Sequence, residues 1–387
     1  METPILRAQD MDVVAGRWSL LAESLYSLPN WLRTAESREG DRHYSVLDGE
    51  PAPRGGLVVY HMTEKSWFYN NPVAQLVHPD PALRPFLTPE EQRRLSDHAV
   101  RLEKAAARLS PALVSVLPSG YLPGLLRAPG ADDGVIGELA DELEHLCTGQ
   151  GLETAAVMHV PERDTVLRGA LEGRGYVPYV SVGDCVLPVS WPDFDGYLDG
   201  LRSPRPTRIR REIRGFEESG AILRETTVDD LDDRHAHLHA EHLRRYGHDV
   251  HVKGSRALIS AIQRNPTGRG RVLEAWRGDV LVGFVVCYEA NREFHPKMIG
   301  VGPEERKAFT YFNLCYYGLI RIAARENAHR VVYGPESYEA KAFRGCAPER
   351  RISYLRVPED LRDDVAATAA VIDAAGRRRL DSFAWQT

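Results

Sequence analysis

The chain has 387 residues, 43% of them hydrophobic and 27% charged, with a formal net charge of −6. That length is more than one ordinary core holds and predicts two domains or three. The composition excludes a membrane-spanning helix, which needs an apolar run of roughly 18 residues, and the negative balance excludes a surface that is basic all over.

The opening METPILRAQDMDVVAGRW places charges where a secretion signal needs an apolar stretch, so a cytoplasmic protein without membrane insertion is expected. The first 30 residues read as helix-like and irregular sequence. Residues 43–47 and 56–61 read as strands joined by the turn-rich DGEPAP. A long loop at 63–89, rich in Pro, Asn and aromatics, leads to a helix over 89–109 that Thr88–Pro89 starts. A short apolar run at 112–117 follows. Then come a helix at 135–147, with Ile136, Leu139, Ala140, Leu143 and Leu146 on one face, and a buried strand at 154–160. The half ends with a helix at 163–172 and strands at 176–182 and 185–189.

After the linker SWPDFDGYLDGLRSPRP the theme repeats. A strand is predicted at 221–225, helices at 229–246 and 255–264, a hairpin of 271–276 with 280–288, and a strand at 297–301. A five-turn helix at 309–327, a strand at 329–333, a short helix at 339–344, a strand at 351–357 and a last helix at 359–380 complete the chain. Helix and strand alternating in this way predict an α/β fold of two tandem domains, 1–190 and 191–387, each a twisted mixed sheet flanked by helices. The cysteines 147, 185, 287, 315 and 346 are odd in number and never spaced as CxxC, so they read as buried, reduced thiols.

Several residues carry chemistry. Arg202, Arg205, Arg208, Arg210, Arg211 and Arg214 crowd one short stretch. They read either as a solvated face paired with Glu212, Glu217 and Glu218 or as a phosphate-binding surface, with Arg208 and Arg211 as its centre. His235, His239 and His242 recur at i, i+4 and i+7 of one helix. No HExxH motif accompanies them, so no metal is assigned; His239 and His242 are candidates to line a substrate cleft. Tyr316 and Tyr317 point about 100° apart, so one packs inward while the other can reach a cleft. Glu336, Glu339 and Lys341 follow the predicted strand 329–333, at the end where α/β sheets open to ligands. Either they form a surface ion pair there, or a carboxylate takes a proton from an attacking amine. Glycine patterns are weak, and no phosphate-binding P-loop occurs, so no cofactor is assigned.

The run NLCYYGLI at 313–320, then Gly334, then EAKAFRG at 339–345, resembles the FemAB-like, peptidoglycan-biosynthesis branch of the GNAT acyltransferase superfamily. Glu339, Lys341, Arg344 and Gly345 match its motif, whereas Ala340 stands where the family carries His and Glu336 where it often carries Gln. The similarity covers roughly 190–357; the first half follows only the order of elements. It implies two GNAT-like domains and an aminoacyltransferase that moves an amino acid from aminoacyl-tRNA to a small-molecule or peptide amine. It also implies Lys341 as the oxyanion-stabilising residue, Glu339 or Glu336 as proton acceptor, Tyr316 as a further catalytic group, and Tyr317 and Arg344 as substrate-binding. The CoA turn of GNAT enzymes is absent: its position reads GVGPEERKAFTYF in the second half and VLPSGYLPGLLRAPG in the first. A CoA-dependent N-acyltransferase and a non-catalytic GNAT-like binding protein are the alternatives.

Overall fold

The computed structural model describes residues 4–35, 41–49 and 51–384. The strands are β1 Ile5–Ala8, β2 Arg42–Leu47, β3 Gly55–Met62, β4 Ala112–Ser115, β5 Leu125–Arg127, β6 Ala155–Pro161, β7 Val177–Pro188, β8 Ala221–Thr227, β9 Arg269–Arg277, β10 Val280–Ala290, β11 Glu293–Val301, β12 Arg330–Gly334 and β13 Ala347–Arg356. Of the DGEPAP turn, Glu50 lies outside the described residues.

The chain packs as two compact units. Among the described residues, one holds residues 4–184, Gly334–Glu336 and residues 348–384, and the other Cys185–Tyr333 and Ser337–Ala347. The expected division at 190/191 therefore differs at the C terminus, because most of β13 and the last helix pack with the first unit. The cause is pairing: Arg351 to Arg356 lie antiparallel on β6, from Pro161 to Ala155.

In the first unit the sheet runs β1-β2-β3-β4-β6-β13-β7, with β5 beside β3. β4 and β6 are parallel, as a crossover through the Gly134–Gly149 helix requires. The Pro89–Leu109 helix starts where the sequence placed it: Thr88 and Glu91 cap each other's backbone amides, and Pro89 fills the first turn. Residues 176–189, expected as two strands, form the single strand β7. The early segment taken as irregular contains β1, whose four residues are too few to show a period.

In the second unit the order is β12-β11-β10-β9-β8. β11 begins earlier than expected, since Asn291 and Arg292, at φ 53° and 62°, form a two-residue turn from β10. The Arg292 side chain anchors that turn on the Asn327 carbonyl, at 3.0 and 2.6 Å. The expected helix at 309–327 is present, but Asn313–Gly318 is wound as a π-helix between Thr310–Phe312 and Leu319–Arg325. Both units are mixed α/β sheets flanked by helices, the predicted fold class. No helix among the described residues is long and apolar enough to cross a membrane.

Candidate functional site

The second unit opens where its parallel strands β11 and β12 part. They pair at Glu293–Arg330 and Phe294–Val331, near their amino ends. Their carboxyl ends, Val301 and Tyr333, are thus free to diverge, which is where α/β sheets accept ligands. An aromatic row crosses this opening. His242 stacks on Tyr311 with centroids 6.2 Å apart, Tyr311 meets Tyr316 edge-on at 6.2 Å, and Tyr316 stacks on Tyr333 at 4.7 Å. The row comes from three elements: the Asp233–Arg245 helix, the interrupted helix after β11, and the end of β12.

Two polar atoms in this row lack partners among the described residues, His242 Nδ1 and Tyr333 Oη. Buried polar atoms left in that state mark a site for water or ligand. Burial, with Arg245 next, pushes His242 down to about 4, so its imidazole is neutral near pH 7. Burial likewise raises the Tyr316 and Tyr333 hydroxyls well above their ordinary values. Lys341 lies beside the row, only 6% exposed, and its ammonium donates to the Tyr333 carbonyl at 3.0 Å. It is therefore not a lysine of the solvated surface. A cation fixed at a strand end can stabilise an oxyanion.

Beneath the row lies a buried ion pair that supports it. Arg344, 2% exposed, donates to Glu212 at 2.7 Å, to the Tyr317 hydroxyl at 3.2 Å and to the Ala340 carbonyl at 2.9 Å. Its guanidinium also lies over Phe312 at 3.8 Å and Tyr316 at 4.8 Å. The Tyr317 hydroxyl donates to Glu212. Arg344 and Tyr317, expected to bind substrate, instead have their polar groups committed to Glu212. Glu212 pairs with Arg208 of the arginine cluster as expected, but from a buried position and not from a solvated face. It shares the buried helix face of Ile209 and Phe216 and is 1% exposed. A carboxylate on that face was the sequence signal for a buried partner. Tyr311 and Tyr333 carried no signal of their own, since neither belongs to a spaced motif.

The other predicted residues separate. His239 is buried and bonds the Ser255 hydroxyl at 2.8 Å, so it belongs to packing between two helices. His235 bridges Asp232 and Glu274 at 2.8 and 2.9 Å. Glu339 is exposed. Glu336 belongs to the first unit, where Arg379 approaches it at 3.4 Å. Arg208 bonds Glu212 at 3.1 Å and lies over the Phe343 ring at 4.7 Å. Arg202, Arg210, Arg211 and Arg214 are exposed and make no ion pair among the described residues. All five cysteines are free and buried, and burial raises the Cys315 and Cys346 thiols, so neither supplies a thiolate near the row.

The turn after β11 carries a proline and a buried carboxylate. Pro303 lacks an amide hydrogen. Glu305 is buried and accepts from Arg277 at 3.0 and 2.8 Å and from the Thr310 hydroxyl at 2.7 Å, an ion pair that occupies the turn.

The chain is similar in structure to FemX, with a TM-score of 0.57 at 9% identity, over 95% of this chain and all of that one. It is also similar to the C-terminal domain of a protein assigned as a lysylphosphatidylglycerol synthetase from Agrobacterium fabrum, at TM-score 0.54 and 9% identity over 95% and 96% of the two chains. A conserved protein of unknown function from Bacteroides thetaiotaomicron gives TM-score 0.53 and 11% identity over 92% and 100%. At these identities the likeness is one of fold. No curated protein matches the chain in sequence. Residues 96–374 match the FemAB-like family, described as peptidoglycan biosynthesis/recognition, and with well over half of its length matched the chain belongs to that family.

Proposed function

We propose that this protein is an acyltransferase that moves an amino acid from aminoacyl-tRNA to the amine of a cell-wall precursor or of a small specialised metabolite. Membership of the FemAB-like family and the fold shared with FemX support transfer of an acyl group in cell-wall synthesis. The observation that carries the tRNA donor is the arginine face of the Arg205–Glu218 helix and its approach. Arg202, Arg210, Arg211 and Arg214 crowd an exposed surface with no carboxylate paired to them among the described residues, as a polyanionic donor requires.

The chemistry follows from the opening between β11 and β12. The amine nitrogen attacks the ester carbonyl carbon, and the carbonyl oxygen becomes an oxyanion. Lys341 is the cation for that oxygen, held by the Tyr333 carbonyl. The carbon–oxygen bond to the tRNA ribose then breaks, and the ribose oxygen leaves with a proton. Glu339, in the same unit as Lys341, takes the proton the amine gives up and passes it to the leaving ribose oxygen. Ester aminolysis runs downhill, so no nucleotide hydrolysis is called for.

Charged tRNA titrated onto the protein at several salt concentrations tests this reading. Arg211→Ala together with Arg208→Ala should weaken binding and lower the salt slope by roughly one unit for each phosphate no longer neutralised. Unchanged affinity and slope would leave the cluster as a solvated face. Micromolar binding of acetyl-CoA by calorimetry would favour a CoA donor instead, against the buried Glu305 and the missing Pro303 amide.

A further inference from the structure

The first unit gathers four non-glycine residues in the left-handed region: Ser119, Tyr121, His159 and Glu336, at φ 59°, 50°, 62° and 66°. Non-glycine residues held in that region are strained, and such residues cluster at functional sites. Here they meet. The β6–β13 ladder shifts register opposite Ile352 to Tyr354, so β6 bulges at Met158–His159. The bulge turns the His159 ring against Tyr121, centroids 5.3 Å apart. Tyr121 also lies 3.8 Å from where Gly334 would carry a side chain, two residues before Glu336.

Around Tyr121 the surroundings are aromatic and acidic. The Trp67 indole faces the Tyr121 hydroxyl, and the Trp67 and Tyr69 ring centroids stand 6.0 Å apart. Trp67 is 50% exposed, an unusual state for that side chain. Burial, then the carboxylates of Asp184 and Glu336, hold the Tyr121 hydroxyl in its protonated form. Asp80, Asp184 and Glu336 outnumber the arginines that face them. Arg379 reaches Asp80 at 3.0 Å and Glu336 at 3.4 Å, and Arg351 reaches Asp184 at 2.6 Å. His159 adds no positive charge near pH 7, since burial pushes it down to about 3. Electron-rich ring faces beside a surplus carboxylate attract a cation, and an exposed tryptophan is the strongest such face.

We propose that Trp67, Tyr69 and Tyr121, with the Glu336 carboxylate, form a binding site for the ammonium group of a small amine or of an amine-bearing side chain. The site takes a charged amine, and it rests on the proposed transfer only in naming the molecule that carries that amine as the acceptor. The strained backbone at Tyr121 and Glu336 is then the means by which ring and carboxylate are brought to one cation. The site selects by charge, so a neutral molecule of the same length is excluded.

Calorimetric titration of the full chain with cadaverine and with 1,5-pentanediol tests the site without any acyl donor. A failure here is therefore separate from a failure of the tRNA titration. Cadaverine should bind saturably, and the diol should not. Trp67→Ala and Glu336→Gln should each weaken cadaverine binding at least tenfold, whereas Trp67→Phe, which keeps a ring, should retain most of it. Trp67 is half exposed, so its replacement leaves the core intact. Equal binding of diol and cadaverine, wild-type affinity in folded Trp67→Ala, or no saturable cadaverine binding by the folded wild type would each overturn the assignment.

Discussion

Single side chains around the β11–β12 opening divide into those that hold charge for chemistry and those that hold charge for shape. Lys341 belongs to the first group: its ammonium is nearly buried, yet it donates to the neutral carbonyl of Tyr333. Lys341→Met keeps the stem and removes the charge, and should lower kcat roughly 10²-fold or more with the fold intact. A folded variant with near-normal kcat would end its role as oxyanion stabiliser. Arg344 belongs to the second group. Arg344→Met removes the buried partner of the Glu212 carboxylate, leaving only the exposed Arg208 to pair with it, and should cost about 3 kcal/mol in urea unfolding. Replacing both members with apolar residues should recover much of that loss, because an apolar pair avoids desolvating two charges; a single-variant loss under about 1 kcal/mol would contradict the buried-pair account. His242 gives a pH signature. Its folded value lies near 4 against 6.5 for the free group, so below about 6.5 the unfolded chain binds more protons than the native one. Its contribution is complete above about 6.5 and is lost as pH falls toward 4. The urea midpoint of His242→Gln should therefore fall less steeply over that window than wild type, and parallel curves would show that the imidazole does not titrate this way.

At the scale of elements, much was legible because local rules agreed with the fold. Thr88 and Pro89 announced a helix start, and the β-branched runs announced β3, β4 and β6. The Arg205–Glu218 helix was legible as charged but not as two-faced. Its Ile209, Glu212 and Phe216 stripe packs inward while its arginines face out, and only the position of Glu212 on that stripe hinted at Arg344. The π-helical turn at Asn313–Gly318 escaped the 3.6-residue period altogether. It is held by the Asn313 side chain, which donates to the Glu212 and Phe309 carbonyls at 3.2 and 3.1 Å. That turn shifts the angular spacing of Tyr316 and Tyr317, so both became buried where the sequence offered one for a cleft. The ammonium site was the least legible part. Trp67, Tyr121 and Glu336 lie far apart in the chain, and the left-handed backbone that presents two of them occurs at residues that do not advertise it.

For the whole molecule, the departure from two consecutive domains has a consequence that can be measured. The first unit is completed from the far end of the chain. β13 covers the edge of β6, and the Glu359–Ala384 helix lies along the Pro89–Leu109 helix. His98 meets Asp364 at 2.8 Å, Arg108 meets Asp360 at 2.7 Å and Arg378 meets Glu91 at 2.7 Å. Asp373 accepts the Val180 amide at 2.9 Å, so the late helix also closes a backbone hydrogen bond of β7. A fragment of residues 1–190 lacks all of this. It exposes an unpaired β6 edge and the apolar surface that Val365, Ala369 and Ile372 cover, which together leave a strand open to aggregation and a core open to water. The fragment should show no cooperative unfolding transition and no dispersed amide spectrum. Joining residues 347–387 to it through a flexible linker should restore both, because the missing strand and helix then return as an intramolecular ligand at high effective concentration. A 1–190 fragment that unfolds cooperatively by itself would mean that the C-terminal strand and helix decorate the first unit without completing its core.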